Sequence, residues 1–319
     1  MVLILSEEHD QSTNIVIDWL VHFKKPFIRI NDTDSCTIKK IDLTTDEIII
    51  TVAGHEINFN DISAYWYRRG NFNIALPDDI PNHPFQDEIR RNLKRELSIL
   101  VDYLHLALMK KKHVGCFFDN YTNKLQHLIL AKKCGLQIPN TLISSEKEVV
   151  IDFLDQEKEV ITKAISETIM FSFQADGAIQ AYTSVVKKEE INQYNESLFP
   201  SLFQNKIDKK YELRIFYLDG EFFPMAIFSQ SNHKTKTDFR NYDNEKPNRC
   251  VPYLLPETIK AKLDSFMKLK MLSTGSIDMI VSRDNEYIFL EVNPVGQFGM
   301  TSYPCNYYLE KKIAEYLCK

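Results

Sequence analysis

Apolar residues recur at strand-like and helix-like spacings at the start of the chain. Residues 2–5 form a short, wholly apolar run of the kind found in buried strands. Apolar positions then follow helical spacing up to Phe23, Pro26 ends that pattern, and residues 27–30 are again largely apolar. This strand–helix–strand order, with a further apolar run at 48–52, predicts an α/β lobe in which helices cover a sheet.

Two later stretches have helical patterns. A stripe of leucines and isoleucines at helical spacing predicts a helix over 87–112 that faces the core and closes the first lobe, and His105 on it is expected to be structural. A second helix is predicted at 124–134, where Gly135 lies just beyond the end and Lys124 stands in the first turn. The helix dipole disfavours a cation in the first turn unless that cation serves an anionic ligand.

Two hairpins are predicted in the second half of the chain. Residues 211–228 form two apolar strands around Asp219-Gly220, a pair typical of tight hairpin turns. Residues 275–292 form two segments of strand-like pattern on either side of a polar turn. If the strands pair around a turn centred between residues 284 and 285, Asp278 lies opposite Glu291. Asn293 shares a strand face with Glu291 because side chains two residues apart point the same way.

This second hairpin is the strongest candidate for chemistry. Carboxylates that face each other across two strands repel, so a bound cation is one explanation for Asp278 and Glu291. Oxygen ligands without His or Cys favour Mg²⁺, which commonly shares its shell with substrate phosphates. The alternative is a solvated hairpin edge that carries incidental acids.

Basic residues in apolar surroundings are further candidates. The stretch AYWYRRG at 64–70 could hold an anion or a peptide, or could be a partly buried strand whose arginines reach solvent. Lys163, within the apolar run EVITKAI, either reaches solvent or meets a buried anion such as a nucleotide phosphate. The lysine pair at 209–210 is interpreted as solvated.

Composition narrows the function classes. The chain is 44% apolar and 26% charged, which is ordinary for a globular protein, and its net charge of −5 gives no electrostatic case for binding nucleic acid. The six cysteines show no CxxC spacing and no stretch approaches a membrane span, so we expect reduced thiols, no membrane partner and a place in the cytoplasm. No GxGxxG follows the first strand, and no nucleophile system of the Ser/His or Cys/His type is evident.

The order of the motifs resembles that of the ATP-grasp fold. The motifs that carry this resemblance are Asn123-Lys124 before a helix, VITK at 160–163, FQNKI at 203–207, ELR at 212–214 and EVNPVGQFG at 291–299. The whole chain is similar to the ATP-grasp ligases that cyclise ribosomally made peptides, the microviridin-type or graspetide maturases, and most of all to the grasp-with-spasm branch. The resemblance implies a mixed α/β (α+β) fold, with an N-terminal α/β domain at 1–115, a small lid domain at 116–200 and an antiparallel-sheet grasp domain at 201–319.

Family resemblance also implies a nucleotide site. Lys124 and Lys163 would hold the phosphates of ATP, Gln204 and the backbone of Ile207 would meet adenine, and Glu212 would lie near the ribose. Two departures from the family pattern concern this half of the site. The lid carries one glycine where a glycine-rich loop is common, and Gln204 stands where many relatives have an acid.

Metal ligands and catalytic residues are implied in the same way. Asp278, Glu291 and Asn293 would bind two Mg²⁺ ions that bridge the phosphates, and Arg214 and Arg240 would face the transferred phosphoryl group. ATP and Mg²⁺ are therefore the expected cofactors.

The implied activity is ATP-dependent macrocyclisation of a precursor peptide. An Asp or Glu side chain would be activated as an acyl phosphate and joined to a Thr or Ser hydroxyl as an ester, or to a Lys amine as an amide. The peptide would carry a leader segment, for which the strand at 65–69 or the basic lid is a candidate surface, and a homodimer is a family expectation. The alternatives are a carboxylate–amine ligase that adds a free amino acid to a peptide, and a non-catalytic ATP-binding regulatory module.

Overall fold

The chain divides into two compact units. The computed structural model describes the chain except for residues 78–83, 122, 167–169, 174–176, 181–182, 196 and 231–246. Unit 1 comprises Met1–Tyr121, Leu272–Gly275 and Pro294–Lys319, and unit 2 comprises Thr122–Met271 and Ser276–Asn293. The predicted division into three domains stays a prediction.

The helices and strands are numbered in chain order. The helices are α1 Gln11–His22, α2 Gln86–Met109, α3 Lys124–Lys133, α4 Lys147–Gln156, α5 Lys188–Asn192, α6 Glu257–Leu269, α7 Gly299–Cys305 and α8 Leu309–Cys318. The strands are β1 Val2–Ser6, β2 Phe27–Asn31, β3 Cys36–Asp42, β4 Glu47–Val52, β5 His55–Asn58, β6 Ala64–Tyr67, β7 Lys112–Val114, β8 Thr141–Glu146, β9 Val160–Thr162, β10 Met170–Phe173, β11 Gly177–Gln180, β12 Ser184–Val186, β13 Ser197–Asn205, β14 Lys209–Leu218, β15 Glu221–Phe228, β16 Arg249–Pro252, β17 Thr274–Ser282 and β18 Tyr287–Asn293.

Unit 1 contains the predicted strand–helix–strand opening. Its main sheet has the order β2-β1-β6-β7 with every pairing parallel, and β1 is buried along its whole length. Asp10 caps α1 by accepting a hydrogen bond from the backbone N–H of Thr13 at 3.1 Å. A second, antiparallel sheet of β3, β4 and β5 packs its apolar side chains into the same core.

Helix α2 also belongs to unit 1, and the core covers its apolar stripe only in part. Leu104 and Leu108 are fully buried, but Ile89 is 36% and Leu100 is 42% exposed. The prediction that the whole apolar stripe faces the core was therefore wrong at Ile89 and Leu100. The physical reason is length, since 24 residues of helix span roughly 36 Å, more than the neighbouring sheet can cover.

Unit 2 contains two larger sheets. One has the order β12-β9-β13-β8 with antiparallel pairings, and Val150 of α4 and Phe203 of β13 belong to the core beneath it. The other has the order β16-β15-β14-β17-β18 and contains both predicted hairpins. The β14–β15 turn uses Asp219 and Gly220 with φ of 42° and 91°, as a tight hairpin turn of the I′ type requires. Within the described ranges, every helix is too short or too polar to span a bilayer.

Candidate active site

The β17–β18 hairpin brings the two predicted carboxylates face to face. Asp278 pairs with Glu291 across the two antiparallel strands, which confirms the predicted register. The sequence count assumed a turn centred between residues 284 and 285. In the structure Val281 pairs with Tyr287, so the turn is centred on residue 284 alone. A bulge then leaves Leu290 without a partner on β17, and this extra residue restores the pairing of the acids.

Both acids are paired with basic side chains of the same unit. Asp278 and Glu291 are each 8% exposed. Arg214 Nη1 donates to Asp278 Oδ1 at 2.7 Å and to Oδ2 at 2.6 Å, and Lys124 Nζ lies 3.1 Å from Glu291 Oε2. The mutual repulsion of the acids therefore does not by itself require a metal ion, which corrects that part of the sequence argument.

The donor set at the hairpin nevertheless suits a hard cation. Asn293 lies two residues beyond Glu291 on β18 and pairs with Ser276, so carboxylate and amide oxygens share one region of the sheet. Among the described residues no group of three or more His, Cys, Asp or Glu side chains is arranged to hold a metal. A metal site here would therefore depend on the amide oxygen of Asn293, on water or on a substrate oxygen in addition to the two carboxylates.

Lys124 reaches the site from the first residue of α3, which lies against β18. Asn123 caps this helix, because its Oδ1 accepts hydrogen bonds from the backbone N–H groups of Leu125 at 3.0 Å and Gln126 at 3.2 Å. The lysine at the positive end of the helix dipole is compensated by Glu291. The predicted position of Lys124 at the start of the helix is therefore confirmed, and its carboxylate partner is Glu291 on β18.

One N–H group of the Arg214 side chain has no hydrogen-bond partner among the described residues. It is 5% exposed on β14, and its Nη1 makes both contacts with Asp278. Its Nε is buried and has no hydrogen-bond partner in the described part of the chain. A buried unpaired N–H group costs about 1–3 kcal/mol, so this guanidinium is suited to donate to a further anionic oxygen.

Glu212 shares a strand face with Arg214 and is held by a buried network. Its Oε1 contacts Lys209 Nζ and its Oε2 contacts Ser229 Oγ, and all three residues are at most 5% exposed. The interpretation of Lys209 as solvated was therefore wrong. Nothing in the sequence distinguishes Lys209 from its exposed neighbour Lys210, and only the path of β14 separates them.

The remaining nucleotide candidates lie around the other sheet of unit 2. Gln204 on β13 is 2% exposed and donates from Nε2 to Thr141 Oγ1 at 2.9 Å. Lys163 directly follows the last residue of β9, the strand in which Ile161 pairs with Gln204, and it is half-buried. Ile207 is also half-buried, in the connection from β13 to β14. The predicted catalytic residue Arg240 lies outside the described residues.

A buried histidine beside Lys124 was not found from the sequence. His127 lies one turn further along α3, is fully buried against Phe266, and neither ring nitrogen has a hydrogen-bond partner among the described residues. Burial above all, and then the nearby Lys270 and Lys124, lower the pKa of His127 to about 4, although Glu291 acts in the opposite direction. The side chain is therefore neutral near pH 7.

The two arginines of the AYWYRRG stretch differ, because the side chain of Arg69 is 40% exposed whereas Arg68 is buried. Tyr65 and Trp66 are at most 2% exposed, so β6 offers a peptide little side-chain surface. Arg68 is 7% exposed and does not reach solvent, because its Nε lies 3.0 Å from Asp10 Oδ2 at the start of α1. The pair ties β6 to the helix cap in unit 1.

No protein-family model matches this sequence, and neither does any curated protein. Solved structures match over the whole chain. The macrocyclase MdnC of Microcystis aeruginosa MRC, crystallised with the precursor peptide MdnA, is 29% identical with a TM-score of 0.77, and the match covers 99% of both chains. A RiPP-associated ATP-grasp ligase of Chryseobacterium gregarium, solved with ADP and a leader and core peptide, is 23% identical with a TM-score of 0.80, covering 99% of this chain and 96% of that one.

The ATP-grasp ligase PsnB, solved with a minimal precursor, Mg and ADP, has a TM-score of 0.72 at 16% identity and matches 99% of this chain and 96% of its own. The predicted mixed α/β ATP-grasp fold is confirmed by these structures. The predicted resemblance to ATP-grasp ligases of peptide maturation is also confirmed, since it extends along the entire chain and includes a macrocyclase at 29% identity.

Proposed function

We propose that this ATP-grasp ligase closes rings within a ribosomally made precursor peptide by activating Asp or Glu side chains with ATP. One observation carries the proposal: Asp278 and Glu291 face each other across a hairpin while Arg214 and Lys124 contact them from β14 and α3. Basic side chains of this kind can bind a phosphate group, and the carboxylates beside them can bind its metal counter-ions. The likeness to the macrocyclase MdnC along the whole chain supports the choice of substrate.

The residues at the hairpin fit Mg²⁺. Asp278, Glu291 and the amide oxygen of Asn293 are hard oxygen donors and would hold the metal ions. When bound, Mg²⁺ would neutralise charge on the phosphates of ATP. PsnB, which shares the fold, was solved with Mg and ADP, and this supports the assignment.

Arginine and lysine side chains would bind and orient the phosphates. Arg214 can donate from Nε to a phosphoryl oxygen while Nη1 keeps Asp278 in place. Lys124 would turn from Glu291 toward a phosphate, since its side chain is 29% exposed. Lys163 and Arg240 would add two further cations, an assignment that rests on the resemblance alone.

The nucleoside would lie along the connection between the two sheets of unit 2. Gln204 and the backbone of Ile207 would contact adenine, and Glu212 would contact the ribose. The network of Lys209 and Ser229 around Glu212 would fix the orientation of that carboxylate. Positioning of this kind contributes more to phosphoryl transfer than covalent help from the protein.

The proposed reaction needs no nucleophile from the protein, because both attacking groups belong to the peptide. A carboxylate oxygen of the peptide attacks the γ-phosphorus of ATP, giving an acyl phosphate and ADP. The hydroxyl of Thr or Ser, or the amine of Lys, then attacks the acyl carbon, and phosphate leaves. Each ring closed in this way removes one water from the peptide.

Mass spectrometry tests the proposal directly. A Thr-, Asp- and Glu-rich peptide encoded beside the gene is incubated with the protein, ATP and Mg²⁺, and we expect the loss of one water per bond together with ADP. Hydroxylamine treatment then separates esters, which it cleaves, from amides.

Other outcomes would identify the alternatives. A gain of one amino-acid mass would indicate a ligase that adds a free amino acid. ATP binding without any change in the peptide would indicate a binding module and contradict the proposal. The homodimer and the place in the cytoplasm stay predictions.

A further inference from the structure

A cavity of about 340 Å³ lies between α1 and α8 in unit 1, and its lining includes none of the candidate active-site residues. This volume is within the range of small-ligand sites, from about 300 to 1,000 Å³. Three aromatic and three charged residues line it, namely Trp19, Tyr307, Tyr308, Lys311, Lys312 and Glu315. The lining combines flat rings with an excess of lysine over glutamate.

Rings and ammonium groups are arranged together in this cavity. Lys311 Nζ lies 5.3 Å from the centre of the Trp19 ring, a cation–π distance, and its side chain is 42% exposed. Tyr308 is 62% exposed although it is a large aromatic residue. Aromatic residues that remain exposed beside cations are typical of surfaces that contact a peptide.

The electrostatics of α8 favour an anion in the cavity. Lys311 and Lys312 lie within the first four residues of α8, where the helix dipole disfavours cations. Tyr308 is the N-cap but provides no side-chain hydrogen bond to the helix. Lys311 Nζ lies 3.7 Å from Glu315 Oε1 and Glu310 stands in the first turn, so an anionic group bound here would add to compensation that the helix already provides in part.

Backbone strain occurs at the same place. Asn306 and Tyr308 both adopt left-handed conformations, with φ of 52° and 53°. For Asn306 this is an ordinary left-handed end of α7, whereas the conformation is uncommon for a bulky residue such as Tyr308. The two conformations direct the chain so that Tyr307 and Tyr308 line the cavity.

We propose that this α1–α8 cavity binds an acidic segment of the peptide substrate, at a distance in sequence from the residues that are joined. The inference rests on the proposed function, because it takes the peptide substrate of that function as the ligand of the cavity. The two lysines match the carboxylates of such a segment, and the rings match its apolar groups. The cavity would raise affinity for the peptide and take no part in the chemistry.

Intrinsic fluorescence tests binding at this cavity. The chain has two tryptophans, and Trp66 is 2% exposed, so a change in emission on adding the Thr-, Asp- and Glu-rich peptide would report on Trp19. We expect such a change in the wild type and none in Trp19→Phe. A peptide with Asn and Gln in place of Asp and Glu should produce none either.

Kinetics separate this inference from the proposed function. The double variant Lys311→Ala/Lys312→Ala should raise the KM for the peptide about tenfold and leave kcat and the KM for ATP unchanged. Lys94→Ala, which removes an exposed lysine from α2 in the same unit, is the matched control. Cyclisation with an unchanged peptide KM in the double variant would overturn the inference and leave the proposed function standing.

Two further outcomes have distinct meanings. Peptide binding at Trp19 without any loss of water would retain the cavity assignment and contradict the macrocyclase proposal. A change in Trp19 emission that follows protein concentration, without peptide, would indicate a second copy of the chain and overturn the inference.

Discussion

At the scale of single residues, the candidate active site depends on charge pairs between distant parts of the chain. Arg214 holds Asp278 at 2.6 Å, and both side chains are nearly buried. Removing one charge from such a pair leaves the other uncompensated and costs about 3–5 kcal/mol. The Arg214–Asp278 pair therefore contributes both to the stability of the fold and to the proposed reaction. A test of one role must be designed so that the other is measured separately.

Asp278→Asn separates them, because it keeps the shape of the side chain and removes its charge. We expect ATP turnover to fall at least a hundredfold or so, since a metal-ligand candidate and the partner of Arg214 are both changed. The loss should be larger than any loss of folded protein at the assay temperature. Coupled ADP release and circular dichroism at the same temperature measure the two effects.

Asp264→Asn is the control for this variant. Asp264 forms an ion pair with Lys268 along α6, where the lysine is 72% exposed, and the change should leave turnover intact. Turnover near the wild-type value in Asp278→Asn would contradict the metal assignment.

His105 gives a prediction about pH. It is fully buried, stacks on Phe117 at 4.0 Å and contacts Tyr65 and Asn71, and burial lowers its pKa from 6.5 to about 3. Between these two values the unfolded chain binds a proton that the folded chain does not. The free energy of unfolding should therefore fall as pH decreases from about 6.5 toward 3.

His105→Phe keeps a ring in the core and removes this proton. Urea unfolding of both proteins across the same pH range should show a shallower decline for the variant. Equal slopes would show that His105 does not contribute to acid sensitivity.

At the scale of elements, α2 shows that a regular apolar pattern does not specify its own burial. Leu104 and Leu108 pack into the core of unit 1, whereas Leu100, one turn earlier on the same apolar stripe, is 42% exposed. Helical spacing determines which residues share a face, but the extent of the neighbouring sheet determines how far that face is covered.

Paired truncations on α2 test this division. Leu104→Ala should lower the free energy of unfolding by about 3 kcal/mol, because Leu104 is fully buried in the core. Leu100→Ala, four residues earlier on the same helix, should cost less than about 1 kcal/mol. Urea denaturation measures both, and equal costs would contradict the burial of α2 as described.

The β17–β18 hairpin shows the opposite case, in which a local pattern determines a non-trivial feature. Its register places Asp278 opposite Glu291, as the sequence count predicts. The count succeeds because a turn offset of one residue and a bulge at Leu290 compensate each other. Hairpin pairing is short-range, and few other registers keep the apolar side chains of both strands buried.

At the scale of the whole molecule, the described candidates for nucleotide and metal binding all belong to unit 2, and the α1–α8 cavity belongs to unit 1. The chain crosses between the units directly after Asn293, within the motif EVNPVGQFG. Nucleotide binding should consequently stabilise unit 2 first.

Thermal unfolding with ligands tests whether nucleotide binding depends on a metal at the hairpin. At a hundred times its dissociation constant, a ligand of the folded state contributes about 2.7 kcal/mol, so ATP with Mg²⁺ should raise the melting temperature by several degrees. ATP with EDTA should raise it less, and Asp278→Asn should lose the part that depends on Mg²⁺. An equal rise with and without the metal would contradict a metal site at the hairpin.

The sequence by itself determined the features that depend on neighbouring residues. These are the strand–helix–strand opening, the start of α3 at Lys124, both hairpins and the facing acids. Local backbone preference and short-range pairing are sufficient for each of them. The ordered motifs were also sufficient for the ATP-grasp resemblance, and solved structures of that fold confirm it.

Only the tertiary structure decided which charges meet. Arg214 and Asp278 lie 64 residues apart, and Lys124 is still further from Glu291. Burial of Lys209 beside exposed Lys210, the neutral His127 and the half-covered α2 likewise depend on what packs against each residue. The physical reason is that ion pairing and desolvation act between groups close in space, and spacing along a chain does not encode distances between remote segments.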